Sequence, residues 1–298
     1  MPLDKKDNYQ ARNTGKKPSA AKTEKRQGNT RTTRKRGRTK ANGRRSRIAF
    51  TLGALMIIVA YVFLFYYFFV GPFSFKWKAI YGDPTYPEGY NVRGIDISHY
   101  QKRINWEQLR NESINNDPIR FVFIKATEGE KLMDEDFNEN FFQAAENGFI
   151  RGAYHFYVPG VDIRRQAQFY LHTVHLVPGD LPPVLDVEST GKLTDEQIRN
   201  DVKTWLEIVG RHYGVNPIIY ANYKFRTTIL DTPEFDKYPL WIAHYYVDKM
   251  KYNGKWAFWQ HTDCGKLNSI NGDVDFNIFN GSPANLQELT IPDDSALE

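Results

Sequence analysis

The stretch Leu181-Pro-Pro-Val-Leu-Asp-Val-Glu-Ser189 runs an apolar segment straight into two carboxylates, Asp186 and Glu188. Residues two apart on a strand point to the same side, so the pair projects together from the strand end. Two carboxyls held close repel each other, which raises one pKa and lets that group keep a proton near neutrality. A protonated carboxyl beside an ionised one is the equipment of general acid catalysis, glycosidic cleavage included. The same pair also suits capping of the Thr190–Thr194 turn or the binding of a cation.

Three other stretches repeat parts of this design. Arg93-Gly94-Ile95-Asp96-Ile97-Ser98 ends an apolar strand in an acid, with Ser98 on the same face; an Asp there also serves simply as a turn residue. Gly152-Ala153-Tyr154-His155-Phe156-Tyr157 offers His155, either to orient a carboxylate or contact substrate, or as a structural histidine. Gly272-Asp273-Val274-Asp275-Phe276-Asn277 again sets two acids two apart, which equally reads as a hairpin turn with solvated acids. The clustered groups are nearly all carboxylates, and no His pair stands at ligand spacing, so no metal site is expected. No Gly-rich phosphate loop or Ser-centred elbow is present, and no cofactor is expected.

These groups need elements to hold them. Short apolar runs cover Val92–Ile97, Phe121–Ala126, Arg151–Tyr157, Pro183–Val187, Pro217–Ala221, Leu240–Ala243 and Trp256–Gln260. Helical patterns lie between several of them. Phe137, Phe141, Phe142 and Ala145 form one such face. Thr194 with Gln197 reads as a capping box opening a helix that buries Ile198, Val202, Trp205, Leu206 and Val209. Strands alternating with helices imply parallel β/α units. The fold class is therefore α/β, a modified (β/α) TIM-like barrel over residues 92–282, and acids at strand ends would meet at its C-terminal mouth. Residues 283–298 read as a loose polar tail.

The net charge of +5 conceals a partition. Residues 1–48 hold 17 Lys and Arg against 3 Asp and Glu, and the remaining 250 hold 23 against 32. An acidic body thus follows a basic tail, and a nucleic-acid-binding face on the body is not supported; the tail reads mainly as a topology and lipid-contact element, with its Arg34–Arg38 run as a nucleic-acid patch the lesser alternative, and no nucleic-acid partner is expected. Residues 1–47 are too poor in apolar groups to offset chain entropy and read as a disordered cytoplasmic tail. Ile48–Val70 is 23 residues without a charged side chain, which as a helix spans roughly 30 Å of hydrocarbon. It is long and ends in bulky aromatics, unlike a cleaved signal peptide. The cluster Arg44-Arg45-Ser46-Arg47 places its N-terminal end in the cytoplasm by the positive-inside rule. The expected product is a single-pass protein of the inner (cytoplasmic) membrane, held in the lipid bilayer by residues 48–70. A linker over 71–91 then leads to a barrel on the outer, periplasmic side. The one cysteine, Cys264, cannot form an internal disulfide and reads as a buried, inert thiol.

Taken together, the motifs resemble those of glycoside hydrolase family 25, the Chalaropsis-type muramidases. The matching pieces are Gly94-Ile-Asp-Ile-Ser98, Phe121-Val-Phe-Ile-Lys-Ala-Thr-Glu-Gly129, Gly152-Ala-Tyr-His-Phe156, Leu185-Asp-Val-Glu188, Ile219-Tyr-Ala-Asn222, Leu240-Trp-Ile-Ala243, Trp259-Gln260 and Val274-Asp275, in family order. They run from about Val92 to Ser282, roughly two-thirds of the chain. The resemblance implies hydrolysis of the β-1,4 bond between N-acetylmuramic acid and N-acetylglucosamine in peptidoglycan glycan strands. It implies that Glu188 is the proton donor. Asp186 then steers the substrate's N-acetyl group or stabilises the cationic intermediate, and Asp96 and Asp275 line the cleft. Tyr154, Tyr220, Trp241 and Gln260 follow as substrate-binding residues, and His155 joins them from its strand-end position. The alternative is a glycan-binding or scaffolding protein on a catalytically inactive copy of the same fold.

Overall fold

The computed structural model describes residues 40–65 and 86–293. The expected disordered tail falls outside them except for its last eight residues, and these are helical. Helix α1 spans Lys40–Phe65, so the helix starts eight residues before the apolar run. Ala, Lys and Arg are good helix formers and extend an established helix at little cost. Its segment Arg47–Leu64 is long and apolar enough to cross a membrane by length and composition.

The second unit is a closed eight-stranded barrel. Its strands are β1 (Arg93–Ile97), β2 (Asp117–Glu128), β3 (Ile150–Phe156), β4 (Val184–Asp186), β5 (Ile218–Asn222), β6 (Leu240–Ala243), β7 (Phe258–Gly265) and β8 (Val274–Phe279). Strands β1 to β7 pair in parallel in chain order. Strand β8 is antiparallel to both β7 and β1 and closes the ring. All seven apolar runs are strands of this ring. The Gly272–Asn277 stretch divides the hairpin-turn reading: Gly272 and the exposed Asp273 lie in the turn, whereas Asp275 lies within an eighth strand. Only residues 266–273 separate β7 from β8, too few for the crossover a parallel pair needs, so the chain turns straight back.

Helices α2 (Phe137–Glu146), α3 (Ile163–Thr173), α4 (Asp195–Tyr213) and α5 (Tyr223–Thr228) follow β2, β3, β4 and β5. The Thr194–Gln197 capping box opens α4, Gly214 ends it in the left-handed region, and the five expected side chains are buried. On α2 the buried face is Phe137, Asn140, Phe141 and Ala144. Phe142 is exposed, because three- and four-residue steps from Phe137 reach 140, 141 and 144 rather than 142 and 145.

Strand alternation divides the core in two. On β2, Phe121 and Phe123 face the barrel interior with Trp241, Phe258 and Phe279. Val122 and Ile124 face the helices with Ala153, Leu185, Val187 and Trp205. Inside, Phe123 stacks on Trp241 at 4.3 Å between ring centroids and meets Phe258 edge-on at 5.0 Å.

The chain ends of the barrel unit are more ordered than their composition suggests. Residues 86–91 of the expected linker pack down: Tyr90 lies 5.7 Å from Trp256, and the Pro87 carbonyl accepts from Arg93. The expected loose tail instead forms α6 (Pro283–Glu288), capped by Ser282, with Leu286 fully buried in the interior cluster. Ile291 then exchanges backbone hydrogen bonds with the Gly179–Asp180 segment. Two apolar residues, Leu286 and Ile291, anchor a segment that otherwise reads as polar. Cys264 is only half-buried, beside Thr262 and Tyr246.

Candidate active site

A cavity of about 220 Å³ opens at the C-terminal mouth of the barrel, lined by Asp96, Asp186, Glu188 and Asp275 together with Tyr154, Tyr220, Trp241 and Gln260. A larger groove of about 870 Å³ lies between the Trp106 turn and α2. Its acids Glu107, Asp136 and Glu139 reach solvent, whereas two of the four acids in the smaller cavity, Asp96 and Asp186, are buried.

Each acid arrives by strand geometry. Asp96 is the inward residue near the end of β1, between outward Ile95 and Ile97. Asp186 ends β4, and the alternation continues past it: Val187 is buried among the helices while Glu188 lines the cavity. Asp275 stands at the start of β8, which runs antiparallel, so its beginning lies at the mouth. The register sets Asp275 directly opposite Asp96. Asp273, two residues earlier, is exposed and paired with Lys266 at 2.6 Å.

His155 is corrected. Tyr154 points into the cavity, so His155 points out. It is fully buried between barrel and helices, stacked on Trp205 at 5.8 Å and bonded to Thr127 Oγ1 at 2.7 Å and Gln166 Oε1 at 3.2 Å. Burial lowers its pKa to about 4. It is a neutral structural histidine and does not reach a substrate in the cavity.

Three of the expected substrate-binding residues turn out to hold Asp96. Trp241 Nε1 donates to Asn277 Oδ1 at 2.8 Å. The hydroxyls of Tyr220 and Tyr245 donate to Gln260 Oε1 at 2.7 and 2.6 Å. With both amide oxygens occupied, the amide nitrogens of Gln260 and Asn277 converge on Asp96 Oδ2 at 2.8 and 2.7 Å. Asn277, Tyr245 and Lys125 were not singled out from sequence. Asn277 carries a signal, since it shares a strand face with Asp275, whereas the strand of Lys125 holds no expected site residue. Tyr245 lies in an irregular loop and carried none.

The electrostatics follow from burial. Desolvation raises Asp96 to about 6, against the lowering effect of Asn277 and Gln260. Asp275 is held well above the usual carboxylate range by burial and then by the charge of Asp96, to which it is hydrogen-bonded. Such a pair shares a proton, and Asp275 keeps it. Asp186 is raised well above its usual value by burial, then by Glu188 and Asp96, and its Oδ1 has no protein partner among the described residues. Glu188 reaches solvent at the mouth, yet enough protein surrounds its carboxyl to raise its pKa, against the opposing charge of Lys125. Among the described residues Lys125 is the one cation on the cavity wall, bonded to Glu128 at 2.6 Å. The arrangement stores protons on carboxyls at the mouth of a dry barrel, as acid-catalysed cleavage of a polar substrate requires.

Comparisons with known proteins agree with this geometry. Residues 95–270 match the model of glycosyl hydrolases family 25. The chain is 46% identical over 202 residues to the uncharacterized protein YegX of Escherichia coli K12, covering 67% of this chain and 74% of YegX. It is 33% identical over 213 residues to lysozyme M1 of Streptomyces globisporus, covering 66% and 71%. Among solved structures, the bacterial lysozyme from Streptomyces coelicolor superposes with a TM-score of 0.62 at 32% identity, over 68% of this chain and 98% of that one. A family 25 glycosyl hydrolase from Bacillus anthracis does so with a TM-score of 0.63 at 28% identity, over 70% and 97%. The chain therefore belongs to the glycosyl hydrolases of family 25 and is a glycoside hydrolase of the lysozyme and muramidase type.

Proposed function

We propose that this protein is a membrane-tethered muramidase that hydrolyses the β-1,4 bond between N-acetylmuramic acid and N-acetylglucosamine in peptidoglycan, with Glu188 as the proton donor. The observation that carries the reading is the meeting of Asp96, Asp186, Glu188 and Asp275 in one cavity, from three separate strand ends. Glu188 gives its proton to the glycosidic oxygen as the bond to the anomeric carbon breaks. Water supplies the hydroxyl that ends on that carbon, and its proton restores the Glu188 carboxyl. Asp186, behind Glu188 and screened from water, orients the substrate's acetamido group. Asp96 serves as the ionised carboxylate facing the positive charge that develops on the sugar ring, while Asp275 retains the shared proton. Tyr154 gives the sugar an aromatic wall.

The tether is α1. Its apolar window and the basic residues before it favour a span with the N-terminus in the cytoplasm and the barrel on the periplasmic side, facing the wall. One experiment tests both parts. Membranes from cells expressing the full chain are washed at alkaline pH, which strips peripheral proteins, and then incubated with purified peptidoglycan. Soluble fragments bearing muramic acid at the new reducing end are expected. Fragments ending in glucosamine contradict the muramidase assignment, and activity released into the wash contradicts the tether.

A further inference from the structure

The turn after β1 presents an aromatic ring that neither the acids nor their supporting network uses. Tyr100 is 75% exposed, yet it lines the same cavity as Asp96 and Glu188. Among the described residues of the barrel unit it is the most exposed of the large apolar side chains. An isolated exposed tyrosine calls for no explanation. This one is built into place.

Ser98 and Gln101 close a capping box around the turn, and Gln101 Nε2 donates to the Asp273 carbonyl at 3.1 Å, tying it to the approach to β8. His99 fastens the other side: its backbone N–H and its Nδ1 both meet Asp134 Oδ2, at 3.0 and 2.7 Å. Asp134 is buried and follows the hairpin that pairs Thr127 with Met133 and Glu128 with Leu132. The His99 ring lies against the Tyr100 ring at 4.2 Å and 34°. One face of Tyr100 is thus backed and its rotamer restrained, while the other face is open. Leu132 and Met133 of the hairpin are also exposed for apolar residues, at 49% and 38%.

We propose that Tyr100 is an outer saccharide subsite, on whose open face a pyranose ring of the glycan strand stacks beyond the sugars held in the cavity. The proposal rests on the muramidase reading. A polymeric glycan is longer than a cavity of about 220 Å³ backed by Trp241, so it continues over the rim, where Tyr100 presents an exposed aromatic face. The C–H face of a pyranose is apolar while its edges carry hydroxyls, so it matches a ring with one open face beside polar Ser98 and Gln101. Prior restraint by His99 lowers the entropy lost on binding.

The test uses the full chain carrying Glu188→Gln, titrated calorimetrically with di-, tetra- and hexasaccharides of alternating N-acetylglucosamine and N-acetylmuramic acid. Affinity should rise with length. Tyr100→Ala should weaken binding of the longest oligomer by about three- to tenfold, the range expected of a stacked ring, and should weaken the disaccharide less. Tyr100→Phe should keep the gain with length, because stacking needs the ring and not the hydroxyl. Phe142→Ala, an exposed ring on the outer face of α2, should change nothing. Equal weakening at every length, no weakening, or a Phe variant as weak as Ala would each overturn the subsite. Turnover of the same oligomers by the wild-type chain reports separately on the muramidase reading. Turnover without a Tyr100-dependent length effect sinks only the subsite, and length-dependent binding without turnover sinks only the muramidase assignment.

Discussion

Asp96 shows how far neighbours can set the state of one carboxyl. It is buried and shares its cavity with Asp275 across the β1–β8 pair, with Asp186 at the end of β4 and Glu188 just beyond it, and with Tyr154, Tyr220 and Tyr245, Lys125 of β2 being the cation on the wall. Burial raises its pKa, and the amide donors of Asn277 and Gln260 oppose that rise. A donor favours the ionised form, so removing one must raise the pKa further. In Asn277→Leu the acid limb of kcat/KM should therefore move to higher pH, by about one to two units, given about 1.5–3 kcal/mol for a hydrogen bond to a charged group. Trp241→Phe, which frees the Asn277 amide to turn, should move it in the same direction by less. An unmoved limb, with only a lower maximum, would make Asn277 merely structural. The strand period already aligned Asn277 with Asp275 in the sequence, so this partner was legible. What period cannot show is which amide oxygen is occupied, and that depends on Trp241 and Tyr245 arriving from other elements.

At the scale of elements, the barrel places its chemistry by alternation, and alternation explains both the successes and the errors of the sequence reading. Asp96, Asp186, Glu188 and Tyr154 are inward because their neighbours Ile95, Val187 and His155 are outward. The same rule, applied at Tyr154, excludes His155 from the cavity. Packing also limits what the strands tolerate. A Cβ on Gly152 would stand 2.6 Å from the buried Phe123 ring and 3.2 Å from Leu181. Phe123 is itself wedged between Trp241 and Phe258 and has nowhere to go. Gly152→Ala should therefore destabilise the barrel by about 1–3 kcal/mol, read as a lower midpoint in denaturant unfolding. An unchanged midpoint would show that the interior is looser than these contacts imply. The antiparallel β8 was less legible, because its opening acids imitate a turn. The phase of α2 was off because Phe142 is apolar but faces water.

At the scale of the whole molecule, the basic tail, the apolar helix and the acidic barrel unit are separate in composition, and that partition is legible in the amino-acid sequence alone. Tail and linker boundaries are not. The helix that carries the apolar run extends back through residues 40–47, and two apolar anchors at Leu286 and Ile291 order a segment whose average composition is polar. The proposed muramidase works through one proton donor, Glu188, at the mouth of its barrel. The most direct test is the rate of reducing-sugar release from purified peptidoglycan by the full chain and by Glu188→Gln. Glu188 reaches solvent, so the isosteric change should leave the thermal midpoint in place, and both proteins must be shown to unfold at the same temperature. Loss of about a hundredfold to ten-thousandfold in rate is expected, the usual contribution of a positioned acid. A Glu188→Gln protein that is folded and releases sugar as fast as the wild type would contradict the assignment of Glu188 as the acid.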